Sequence, residues 1–169
     1  MGSQDCFKPN QLKIVGSAGK LAANLVSNHY RVAPREWLRM PYEVKTLRSL
    51  DSSEVTDSAL AQTVCYSFRR QAGSVVVNEG DLFRICLQDH RILGAARDFQ
   101  LGLKSLLTYV LTHELVHVVR FGQHLQSIDL PRELRFHEEQ KVDTTTRAIL
   151  AKSGDPDMDR IISRRNQLC

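Results

Sequence analysis

The run Val110-Leu111-Thr112-His113-Glu114-Leu115-Val116-His117-Val118-Val119 constrains this chain more than any other stretch. Its Val and Leu content, with uncharged residues between and around the polar ones, marks a buried helix, yet it carries two imidazoles and a carboxylate. Residues four apart stack on one helix face, so His113 and His117 can aim ring nitrogens at a single ion. Glu114 follows the first His, about 100° around the helix, where a carboxylate reaches a water beside the ion without displacing it. For this composition, His-Glu-x-x-His is expected about 0.01 times by chance. The alternative is a pair of core histidines hydrogen-bonded to Glu114. It leaves buried polar groups that cost ~1–3 kcal/mol each when unmet.

A protein zinc site needs at least one further ligand. The candidates are Glu139, Glu138, His137 and His124. Asp143 lies one helical turn after Glu139 and could accept a hydrogen bond from a ligating His, whereas Glu138 is followed four positions later by Val142. A helical His-Glu-x-x-His followed some twenty residues later by Glu-x-x-x-Asp resembles the gluzincin group of zinc metallopeptidases. The resemblance covers about residues 99–152. It implies His113, His117 and Glu139 as ligands of one zinc ion, Glu114 as general base and Asp143 as the residue that orients the first His. It further implies a peptide or protein substrate. The metzincin pattern, with a third His, fits less well: Arg120 and Gln123 stand where that group has Gly and His. Tyr109, His137, Arg147 and Arg160 are the candidates for stabilising an oxyanion, and the spacing does not choose among them.

The 169 residues suit one domain, 1–169, of the α+β class. The expected architecture is zincin-like: a small antiparallel or mixed sheet packed on the His-Glu-x-x-His helix and on a second long helix carrying Glu139 and Asp143. Apolar spacing predicts a helix over 11–30, interrupted near Gly16 to Gly19. The Gly16-Ser17-Ala18-Gly19-Lys20-Leu21 run lacks the first Gly and the Ser or Thr of a phosphate-binding loop. Pro34 and Pro41 bracket an irregular segment anchored by Trp37, and Asp51 to Ser58 reads as a loop. Alternation from Leu60 to Phe68 predicts a strand. Ser74 to Val77 offers a second, Asn78-Glu79-Gly80-Asp81 a turn, and Leu82 to Gln88 a third strand, placed in order to take an extended substrate along its edge. Helices follow from Phe99 to Phe121, capped by Asp98, and from Pro131 or Arg132 to Lys152, with a short helical end after Asp159.

Composition supplies the alternative reading. The chain has a formal charge of +4, yet Lys8, Lys13, Lys20, Arg31, Arg35, Arg39, Lys45 and Arg48 face only Glu36 and Glu43 between residues 8 and 48. That region could dock nucleic acid or an acidic partner in a non-catalytic, zinc-containing binding or regulatory protein. Four cysteines without a Cys-x-x-Cys pair, and a start without a basic-then-apolar leader, lead to the expectation of free thiols and a cytoplasmic location. No stretch approaches the ~20 apolar residues of a membrane span.

Overall fold

The computed structural model describes residues 5–127 and 129–168. The described residues form an α+β fold with a three-stranded mixed sheet and six α-helices. In chain order these are α1 (Pro9–Tyr30), α2 (Pro34–Trp37), β1 (Tyr42–Lys45), β2 (Ala61–Ala72), β3 (Val75–Leu87), α3 (Asp89–Asp98), α4 (Leu103–Gly122), α5 (Arg132–Leu150) and α6 (Met158–Leu168).

α4 is the centre of the core. Leu106, Leu107, Val110, Leu111, Leu115, Val116, Val118 and Val119 are buried around its whole circumference, as expected of a helix apolar on all sides. It contacts α1, α3, α5, α6 and the sheet. α1 lies against it through Val15, Ala18, Ala22 and Val26, spaced three and four apart. The helix runs unbroken through Gly16 and Gly19, contrary to the sequence expectation. A helix-interior Gly costs roughly 0.5–1 kcal/mol against Ala, too little to interrupt a helix whose opposite face is packed along its length.

The sheet order is β1-β3-β2, with β1 parallel and β2 antiparallel to β3. β1 pairs Tyr42 with Phe83 through Lys45 with Cys86. The β2–β3 hairpin differs from the expected pattern. Ala72 pairs with Val75, so Gly73 and Ser74 form the turn, and Gly73 adopts φ 65°, the left-handed backbone that a primed two-residue loop needs. Asn78 to Asp81, expected as the turn, continue β3 opposite Arg70 to Ser67. β3 is therefore the central strand, paired on both sides from Phe83 to Cys86, so most of the Leu82 to Gln88 segment expected to take a substrate offers no edge. The outer edges over that stretch belong to β1 and β2.

Two helix boundaries also differ. Asp98 ends α3 instead of capping α4, whose N-cap is Gly102. Pro34 and Trp37 form one helical turn, where Trp37 Nε1 donates to Ser27 Oγ at 3.0 Å and the indole packs edge-on against Tyr42. Buried Asp89 accepts the backbone N–H groups of Phe7 (2.9 Å) and Leu47 (3.0 Å), tying two distant segments to the start of α3. Cys65 and Cys86 are free thiols; Cys169 lies outside the described residues. Burial above all, with help from Glu54, pushes the Cys86 thiol up to about 12, which leaves it a neutral core side chain. Among the described residues, no helix is long and apolar enough to cross a membrane.

Candidate metal centre

Four rings occupy one stripe of α4 at successive four-residue steps: Tyr109, His113, His117 and Phe121. The His113 and His117 centroids are 5.1 Å apart. His117 stacks on Phe121 at 6.0 Å, and Phe121 stacks in turn on Phe83 of β3 at 6.0 Å. Tyr109 flanks His113 at 6.4 Å. The imidazoles are thus held by aromatic packing at both ends of the stripe, with limited freedom to rotate.

α5 brings Glu139 to face them. Its two carboxylate oxygens lie 3.5 Å from His113 Nε2 and 3.2 Å from His117 Nε2. One ligand atom from each of the three residues falls within 4.8 Å of the others. Ligands about 2.0–2.1 Å from a tetrahedral ion stand roughly 3.3 Å apart, so both N···O separations suit a shared ion. The donor set, two imidazoles and a carboxylate, is one that zinc takes in catalytic sites. Burial pushes the Glu139 carboxyl up, and the two facing imidazoles more than reverse this, holding it well below the usual carboxylate range. In His117, burial disfavours the charged ring, but Glu139 and Glu114 together raise its pKa. Among the described residues, the buried Nδ1 atoms of both histidines have no hydrogen-bond partner. A ring carrying its proton on Nδ1 leaves the Nε2 lone pair free for the shared point.

Glu114 is buried, and its carboxylate lines the same cavity, of about 500 Å³. Its Oε2 accepts a 2.7 Å hydrogen bond from Thr63 Oγ1 on β2. Ala59 to Thr63 form one wall, so the cavity runs beside the start of an edge strand. Tyr109, Gln126 and Arg135 also line it. Sequence reasoning did not single out Thr63, Gln126 or Arg135. Nothing local marks Thr63, whose position depends on how the sheet lies against α4.

The other candidate ligands are placed elsewhere. Glu138 is buried in an ion-pair cluster, its Oε2 accepting from Arg120 Nη2 (2.7 Å) and its Oε1 from Lys141 Nζ (2.7 Å). Burial pushes its carboxyl up, and these two cations bring it below the ordinary value. His124 and His137 are exposed and stand outside the three-residue cluster. Asp143 makes no hydrogen bond to a histidine: its Oδ2 faces Arg165 Nε at 3.1 Å and Arg147 Nε at 3.8 Å. Two arginines compete for the carboxylate that the gluzincin resemblance assigns to His113. Of the oxyanion candidates, Tyr109 lines the cavity, while His137, Arg147 and Arg160 do not. Comparison of the chain with protein-family models, curated proteins and solved structures finds no match.

Proposed function

We propose that this chain is a zinc-dependent metallopeptidase of the gluzincin type, with His113, His117 and Glu139 as metal ligands and Glu114 as general base. The observation that carries the reading is the meeting of those four side chains, from α4 and α5, on one open cavity beside the edge of β2. A bound zinc ion supplies a Lewis acid and makes a water acidic enough to react near neutral pH. Glu114 takes the proton of the attacking water on its carboxylate and returns it to the departing amine nitrogen. Thr63 holds the Glu114 carboxylate by the hydrogen bond to Oε2, leaving the other oxygen to handle the proton. An extended substrate lies along β2, where backbone groups not used by β3 bind main chain with little regard to side-chain identity. Tyr109, one helical turn before His113 and lining the cavity, carries a hydroxyl suited to a developing oxyanion.

Metal analysis and peptide hydrolysis test this together. Protein purified without added zinc should carry about one equivalent, and His113→Ala should lose it. Glu114→Gln should keep the metal and lose about 10²–10⁴-fold in rate. Unchanged metal content in His113→Ala removes the proposed centre, and full activity in Glu114→Gln removes the proposed base.

A further inference from the structure

A second groove lies between α1 and β1. It has a volume of about 700 Å³, with Leu12, Val15 and Ala23 of α1 and Tyr42 and Val44 of β1 among its walls. Its floor is shaped by two glycines. A Cβ built on Gly16 meets no atom within 4 Å, and one on Gly19 meets only Leu111 Cδ1, at 3.9 Å. Close packing therefore does not require glycine at position 16. A side chain at this position would project into the open space of the groove.

Charge and topology say what fits. α1 has no acidic residue along its 22 residues, and Lys20 lines the groove, with Lys13 seven positions earlier on the same helical stripe. Neither lysine makes an ion pair among the described residues. Glu43, the one carboxylate of β1, points to the opposite face, because Tyr42 and Val44 face the groove; it is held by Arg84 at 2.7 Å. The groove-facing charge is therefore positive only. β1 is an edge strand, and the groove runs under that edge.

We propose that this groove binds an acidic peptide segment in extended conformation, added as a fourth strand to the outer edge of β1. Alternate side chains of such a segment point down, onto the apolar floor over Gly16 and Gly19, while its carboxylates meet Lys13 and Lys20. Nucleic acid fits less well: the lining aromatic, Tyr42, is packed edge-on against Trp37 and offers little free face for a base to stack on. A second copy of the chain would set one lysine stripe against another.

The 169-residue chain is panned against a phage-displayed library of random dodecapeptides, and the selected peptides are measured by fluorescence anisotropy. The expected result is a set enriched in Asp and Glu whose affinity falls about tenfold or more in both Gly16→Leu and Lys20→Glu, and weakens with added salt. The Cβ of Gly16→Leu meets no atom of the chain within 4 Å, and the substitution raises helix propensity, so an unchanged or higher melting temperature verifies that the variant is folded. Failure to select any peptide, absence of acidic enrichment, or equal binding by Gly16→Leu overturns the proposal. So does displacement of the peptide by a single-stranded oligonucleotide whose own binding survives Gly16→Leu. A concentration-dependent dimer that Gly16→Leu disperses assigns the groove to a second copy and overturns it as well.

Discussion

Glu54 shows how much one buried carboxylate can organise. It is 1 % exposed, at the end of a short loop helix, and its Oε1 accepts from Tyr66 Oη and from Arg84 Nη1, the latter at 2.9 Å. Its Oε2 accepts the Asp51 N–H at 2.9 Å, and its backbone carbonyl accepts the side-chain amides of Gln62 and Gln88. Burial pushes the carboxyl up, but Tyr66, the Asp51 N–H and Arg84 together bring it below 4.5. A group depressed on folding stabilises the fold fully above its unfolded pKa and loses that contribution as pH falls through the folded value. Stability should therefore decline as pH drops below about 4.5. Glu54→Gln should cost about 3 kcal/mol at neutral pH and flatten the acid decline, as urea titrations at several pH values would reveal. At the candidate metal centre, Thr63→Val should leave metal content unchanged and slow peptide hydrolysis about tenfold, whereas Thr63→Ser should restore the rate. A rate unaffected by Thr63→Val would mean that the hydroxyl does not hold Glu114.

At the scale of elements, the join between α4 and the segment before β1 is tight. A Cβ on Gly122 would stand 2.7 Å from both Cβ and Sδ of Met40, which is itself buried. Gly122→Ala should destabilise the fold by about 1–3 kcal/mol in chemical denaturation, more than any helix-propensity gain returns. The helix expected to end at Phe121 ends at Gly122. α4 and α5 were legible because long apolar periodicity and terminal Pro and Gly act within one segment. α3 was not: its middle Gly94 reads as a break, and Ile92 is its one buried apolar side chain. β1 was missed because four half-buried residues carry no period; their pairing with Phe83 to Cys86 is set by tertiary contact. The hairpin offered turn chemistry at Gly73-Ser74 and at Asn78 to Asp81, and strand register decided between them. The same limit applies at the candidate centre. The spacing of His113, Glu114, His117 and Glu139 is readable along the chain, whereas the pull of Arg165 on Asp143 comes from α6 and is not.

Over the whole molecule, the proposed ion would join α4 to α5, two helices that otherwise meet through packing and the Arg120–Glu138 pair. Binding to the folded state alone stabilises by mass action, about 2.7 kcal/mol at a hundredfold excess over the dissociation constant. Chelation should therefore lower the melting temperature and increase amide exchange at Glu139 and its neighbours on α5, with little change in α1. Equal melting with and without chelator would argue against an ion at this place. The order β1-β3-β2 has a further consequence on this scale. Its two outer strands line different grooves, β2 beside the candidate centre and β1 over α1, so strands bound at both as proposed would make a five-stranded sheet. Strands arriving at the two edges would be separated by the width of the native three and would break none of their hydrogen bonds. A ligand at one edge should leave the other available, giving a saturating stoichiometry of two extended segments per chain.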